Sequence, residues 1–207
     1  MNPKDKLEYE EHFRAGMGTE SVAPLLRSLI QMMRPQRILE VGTGYTTPFL
    51  LDGLENNEMI VDEGNLDKKY LEWRKKHYDP KLVIVDNMSL GELKKSFNID
   101  SIYIEFVQGN FKGISQELFE KYGEFDFVWF DCGGPEEYFD FMSQYWDICC
   151  HYVIFHYTYT SQNPNDLLAT VTGLATGNPQ RIDILEPHKD TQGSVTILKK
   201  CSWGLRN

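Results

Sequence analysis

The stretch RILEVGTGYTTPFLL, Arg37 to Leu51, constrains the fold more than any other part of the chain. It reads as a short apolar strand carrying an acid, then a glycine turn, then the start of a helix. Such a unit brings backbone N–H groups and a helix N-terminus to one point, where α/β proteins hold nucleotides. The dinucleotide pattern G-x-G-x-x-G is broken, because its third glycine falls on Thr47.

At 207 residues the chain fits one domain with a substantial core. Its 41% hydrophobic and 25% charged residues, with a mean hydropathy of −0.44, are those of a soluble globular protein. No window approaches the roughly 18 apolar residues of a membrane span. The first residues, MNPKDKLEYEEHF, are too polar for a signal peptide, so a cytoplasmic location with no membrane contact is expected. A net charge of −10 argues against nucleic acid as a partner. Cys132, Cys149, Cys150 and Cys201 show no paired C-x-x-C spacing, which favours reduced thiols over a disulfide framework or structural zinc.

Residues 1–16 read as a charged surface helix. Val22, Leu25, Leu26, Leu29, Ile30 and Met33 then recur at helical spacing, capped by Thr19 or Ser21 and ended by Pro35. This lead-in, residues 1–34, feeds a strand at Arg37–Val41 and a helix through Pro48–Leu54. Residues 57–80, with NLDKKYLEWRKKHY, read as an inserted helical element. Two roles stay open for it: a cover over the ligand site, or a contact within a homodimer. Strands follow at Lys81–Asp86, Ile102–Gln108, Phe125–Asp131 and HYVIFHY. Helices are expected at Gly91–Phe97, Ser115–Tyr122, Glu136–Trp146 and Asn165–Thr176. Two last strands, Arg181–Leu185 and Ser194–Lys199, form a hairpin. The alternation predicts a single α/β domain, 1–207: a Rossmann-like, seven-stranded, mostly parallel sheet with an antiparallel last strand and helices on both faces.

Glu40, two residues before Gly42, puts a carboxylate at the mouth of the loop, where a pyrophosphate would be repelled. S-adenosylmethionine, with an ammonium, a sulfonium and a neutral ribose, escapes that penalty. With Glu40-Val41-Gly42-Thr43-Gly44 as its acid-x-Gly-x-Gly loop, the chain resembles the class I S-adenosylmethionine-dependent methyltransferases over residues 17–200. The lead-in MGTESVAPLLRSLIQMMRPQRILEVGTGYTT is similar to that of the small catechol and caffeoyl-CoA O-methyltransferases. The resemblance implies that Glu40, Gly42, Gly44 and Thr46 hold the donor. It implies that Asp86, at the end of the second strand, holds the ribose hydroxyls, with Glu63 and Asp67 as competitors for that role. Asn110 and Phe111, after the third strand, fall where the family contacts adenine. Asp131 ends the fourth strand, where donor and acceptor meet.

The metal-dependent members place an Asp-Asn pair after the fifth strand, where this chain has His156-Tyr157. Magnesium prefers carboxylate oxygens, so a magnesium requirement is disfavoured; a softer divalent ion on Asp131 and His156 stays open. His156 suits a general base, with Asp131 orienting its ring and Tyr157 or Tyr159 lining the acceptor pocket. Trp129 and Phe155 are expected in the core. O-methylation of a small-molecule acceptor is the first expectation. N- or carboxyl-methylation, and a binding module without turnover, are the alternatives. No Asn/Asp-Pro-Pro-Tyr motif is present, which weighs against the N option.

Overall fold

Strands β1 (Arg37–Val41), β2 (Lys81–Asp86) and β4 (Phe125–Phe130) are nearly continuous apolar runs because the sheet is covered on both faces. The structure, a computed structural model, describes residues 16–97, 100–157, 172–189 and 192–200. Residues 1–15 of the helix expected over 1–16, most of that expected over 165–176, Tyr159 and Cys201 lie outside these residues.

The other strands are β3 (Ile104–Gln108), β5 (Cys149–His156), β6 (Gln180–Leu185) and β7 (Ser194–Lys199). Their order is β3-β2-β1-β4-β5-β7-β6. The first five are parallel, and β7 runs antiparallel between β5 and β6. Val41 sits beside Val85 and Phe130, and Phe130 beside Phe155, so the carboxyl ends of four parallel strands are level. The seven-stranded sheet, with its one antiparallel strand, is the architecture that the alternation predicts.

Helices α1 (Val22–Met33) and α2 (Thr47–Met59) cover one face. Leu26, Ile30, Leu50 and Leu54 pack there on Ile38, Leu82, Ile84 and Trp129. Helices α5 (Ser115–Tyr122) and α6 (Pro135–Tyr145) cover the other. Leu118, Phe141 and Tyr145 pack there on Val83, Val128, Phe130 and Phe155. Full burial of side chains of this size stabilises a domain by about 1.5–3 kcal/mol each. Helix α3 (Lys68–His77) precedes β2, and α4 (Leu90–Phe97) follows it.

Asn57 to Met59 are the last turn of α2, so the inserted element is shorter than its sequence suggests. It does not cover the carboxyl edge. The connection from α2 must return to the amino end of β2, and it docks there. The Gln36 side chain donates to the His77 carbonyl (2.7 Å), and the Tyr78 hydroxyl donates to the Pro35 carbonyl (3.2 Å). Buried Arg74 donates to the Asn57 carbonyl, and its guanidinium lies 4.4 Å from the centre of the Tyr78 ring. The cover role is thereby excluded for α3.

Arg74→Ala removes a buried charge-assisted hydrogen bond and its packing, an expected loss of about 2–4 kcal/mol. The melting temperature should fall by about 2–4 °C for each kcal/mol in a domain of this size. Ligand affinity at the opposite edge should not change. Calorimetry showing weaker ligand binding with unchanged melting would contradict this placement.

Candidate functional site

The sequence-predicted residues come together at the carboxyl edge because they follow β3, β2, β1, β4 and β5, which are consecutive in the sheet. Backbone contacts join them. The Gly42 N–H donates to the Val85 carbonyl (3.1 Å), the Gly109 N–H to the Asp86 carbonyl (2.8 Å), and the Asp131 N–H to the Val41 carbonyl (3.0 Å). Gly42 has φ +89°, and a Cβ there would collide with the Asp131 carbonyl. Glycine is therefore required at 42 by the fold of the edge itself. Gly44 differs, since a Cβ added there meets nothing within 4 Å.

Asp86 is the acid at the end of β2. Its Oδ2 accepts from the N–H and the hydroxyl of Thr43 (2.7 Å each), and its Oδ1 accepts from the Met88 N–H (2.7 Å). Three of about four acceptor positions on the carboxylate are thus used, two in holding the glycine loop and one in the turn after β2. The competing acids lie in the inserted element: Glu63 pairs with Arg34 (2.8 Å), and Asp67 caps α3 by accepting from the Tyr70 N–H (3.0 Å).

Glu40 is not at the mouth of the loop. It is fully buried beneath it, where Oε1 accepts from the Thr46 hydroxyl (3.0 Å). The Trp129 indole N–H in turn donates to Thr46 Oγ1 (3.1 Å). Position 40 alternates with Leu39 and Val41 and shares the α1/α2 face with Ile38, so its side chain enters the core. Burial pushes the Glu40 carboxyl up to about 8, against the Thr47 and Thr46 hydroxyls, with Asp131 and Asp86 adding to the rise. Thr46 is equally buried and links Glu40 to Trp129; its hydroxyl does not open to the edge.

Asn110 is exposed, and its Oδ1 accepts from the Lys112 N–H (2.9 Å), a turn-forming bond. Phe111 is a core residue, packed edge-on against Phe130 with ring centres 5.3 Å apart. Its ring does not face the edge. Trp129 and Phe155 are buried as expected, and Tyr157 is half-buried.

His156 is buried and lies between two acceptors. Nδ1 is 2.8 Å from Asp131 Oδ1, and Nε2 is 3.1 Å from the Gln192 carbonyl. A carboxylate and a carbonyl only accept, so both contacts are satisfied when the ring donates from both nitrogens. In this arrangement neither nitrogen of His156 is open to take a proton. Asp131 is part-exposed, and its Oδ2 makes no hydrogen bond among the described residues. Among the described residues no third His, Cys, Asp or Glu joins this pair as a close donor group. Half-buried Cys132 stands beside them. Burial pushes its thiol up to about 12, with Asp131, Glu137 and Asp86 adding to the rise.

Sequence reasoning missed Thr43 and Gln192. Thr43 lay inside the quoted loop, and its hydroxyl beside a glycine was the available signal. Gln192 sits in the β6–β7 turn with φ +55°, a conformation the sequence does not announce. Gly18 packs so closely on it that a Cβ at 18 would collide with the Gln192 carbonyl. The lead-in thus borders the same edge, joined by an ion pair from Lys189 to Glu20 (2.8 Å).

The native state holds the Glu40 proton to higher pH than the unfolded chain, whose ordinary carboxyl value is about 4.5. The stability gained from this proton is full below about pH 4.5 and is lost as pH rises through about 8. Glu40→Gln stays neutral and still accepts from Thr46. Its melting temperature should therefore fall less between pH 5 and pH 8 than the wild type's, a difference of at most about 1.4 kcal/mol per pH unit. Parallel melting curves for the two proteins would show that Glu40 is not protonated in the fold.

No family model and no curated protein matches the chain. Solved structures do. The O-methyltransferase TomG from Streptomyces achromogenes, in complex with S-adenosylmethionine, is 16% identical with a TM-score of 0.63, over 96% of this chain and 88% of that one. A putative O-methyltransferase from Klebsiella pneumoniae is 14% identical, with a TM-score of 0.62 over 98% and 91%. The Bacillus cereus O-methyltransferase in complex with S-adenosylhomocysteine is 15% identical, with a TM-score of 0.60 over 94% and 88%. At such identities the likeness is one of fold: the chain has the Rossmann-like fold of the class I S-adenosylmethionine-dependent methyltransferases.

Proposed function

We propose that this protein is an S-adenosylmethionine-dependent methyltransferase acting on a hydroxyl of a small molecule. The observation that carries the reading is the glycine loop framed by Asp86 and Asp131. An edge with two part-exposed acids beside an open Gly44 favours a cationic ligand over a phosphate-bearing one. That negative field supplies what Glu40, buried and neutral at pH 7, does not. The structurally similar O-methyltransferases support the choice of oxygen as acceptor.

In this reading Gly42, Thr43 and Gly44 hold the donor, Asp86 offers its remaining acceptor position to the ribose, and Asn110 borders the adenine end. Bound there, S-adenosylmethionine supplies an electrophilic methyl group. The acceptor oxygen takes it by in-line displacement as the carbon–sulfur bond breaks, the bond's electrons staying on sulfur. Proximity provides most of the acceleration. The proton of the acceptor goes to the Asp131–His156 pair. Oδ2 of Asp131 is the open acceptor, and His156, fixed by Gln192, holds the carboxylate in place. The expected order of roles is thus inverted: Asp131 meets the acceptor and His156 positions it. Among the described residues no third donor group joins these two, which face each other at hydrogen-bond distance, and this supports a reaction that needs no divalent ion.

A second reading, a binding module without turnover, is favoured by one observation: His156 is closed off between Asp131 and Gln192. Turnover separates the two. With a panel of phenols, hydroxy acids and amines, methylated product should form on a hydroxyl acceptor and persist in EDTA. Donor binding with no product from any acceptor would select the second reading.

Gly44→Val should keep the wild-type melting temperature and weaken S-adenosylmethionine binding at least about tenfold by filling the open side of the loop. Gly42→Ala should instead lower the melting temperature, because it strikes the Asp131 backbone. Unchanged donor affinity in Gly44→Val would remove the donor from this loop. Asp131→Asn should lower kcat by about 10²–10⁴-fold with donor affinity nearly intact. Full turnover in that variant would refute the role given to Asp131.

A further inference from the structure

At the opposite edge of the sheet, the amino ends of β4 and β5 bring together three side chains that the methyl-transfer reading does not use. We propose that Asp126, Cys150 and His151 form a site for a thiolate-binding divalent cation, Zn²⁺ foremost. Their donor atoms all lie within 4.8 Å of one another. Cys150 Sγ is 3.4 Å from Asp126 Oδ1, and His151 Nε2 is 3.9 Å from the same oxygen. A tetrahedral Zn²⁺ with bonds of 2.0–2.3 Å separates its ligand atoms by about 3.3–3.6 Å, so small side-chain rotations close the site.

Adjacent residues of a regular strand point to opposite faces and cannot both reach one neighbour. Here the register is broken. Phe125 pairs with Cys149 and Phe127 with Tyr152, which sets two residues of β5, Cys150 and His151, against the single residue Asp126. The irregularity is what lets a Cys and a His converge on one carboxylate.

The carboxylate is already oriented. Asp126 Oδ2 accepts from the backbone N–H groups of Gln36 and Arg37 (2.8 Å each), which turns Oδ1 towards Cys150 and His151. Without an ion, the Cys150 thiol lies against the Phe125 carbonyl (3.3 Å) and Asp126 Oδ1. Binding replaces the thiol proton, which leaves to solvent, by the cation. Cys150 and His151 are only half-buried, so water reaches the ion to fill a fourth position. A cation there ties the starts of β1, β4 and β5 together, at the edge remote from Asp131 and His156. The site is therefore one of stability and not of methyl transfer.

The full chain, treated with EDTA and dialysed, is titrated with Zn²⁺ by calorimetry and with Co²⁺ by absorption. One equivalent should bind, the cobalt form should show a thiolate-to-metal charge-transfer band, and Zn²⁺ should raise the melting temperature. Cys150→Ser and His151→Gln should each weaken binding by at least the 10–100-fold that loss of an outer-shell partner costs. Cys132→Ser should bind like the wild type. No binding by the folded wild-type chain overturns the site, as does a cobalt form without the charge-transfer band. Undiminished binding in both folded variants does the same.

Discussion

The approach of Gly42 to the backbone of Asp131 is the contact on which the carboxyl edge depends. The loop after β1 must cross the end of β4 while its own N–H bonds to β2. Only a residue without a Cβ, at φ +89°, meets both conditions. Thr43 then reaches Asp86, Thr46 reaches Glu40 and Trp129, and Asp131 is set where His156 can join it. One missing methyl group thus organises four strand ends.

Charge is divided by depth at this edge. Glu40 is sealed in the core and carries a proton at neutral pH because an ionised carboxylate there would be poorly solvated. Asp86 and Asp131 stay part-exposed and form the negative surface. Strand alternation produces the division: position 40 turns inward between sheet and helix, while 86 and 131 come at strand ends where the chain leaves the sheet. A buried acid that supports a loop and exposed acids that flank it are different devices, although the sequence writes them with similar letters.

The two edges of the sheet have separate work. At the amino edge, Tyr78 donates to the Pro35 carbonyl and Asp126 accepts from the N–H groups of Gln36 and Arg37, so the inserted element and the start of β4 both secure the entry to β1. That strand is central, with β2 on one side and β4 on the other. Fixing its entry and its exit holds the glycine loop in register with the acids beside it.

The sequence by itself determined the architecture. Apolar runs alternating with amphipathic segments can bury themselves only as a covered, mostly parallel sheet, and the terminal hairpin put one strand in reverse. It also placed Gly42, Asp86, Asp131 and His156 at one edge, since residues ending parallel strands must share it. What it did not decide is where each side chain points and what it meets. Glu40, near the end of β1, and Thr46 and Phe111, in the loops that follow strands, all turn into the core, where Trp129 and Phe130 pack. The partner of His156 Nε2 comes from Gln192, 36 residues away, through a turn of unusual φ. The convergence of Cys150 and His151 rests on a break in pairing with β4. Contacts between residues far apart in the chain depend on register and rotamer, and only the folded chain sets those.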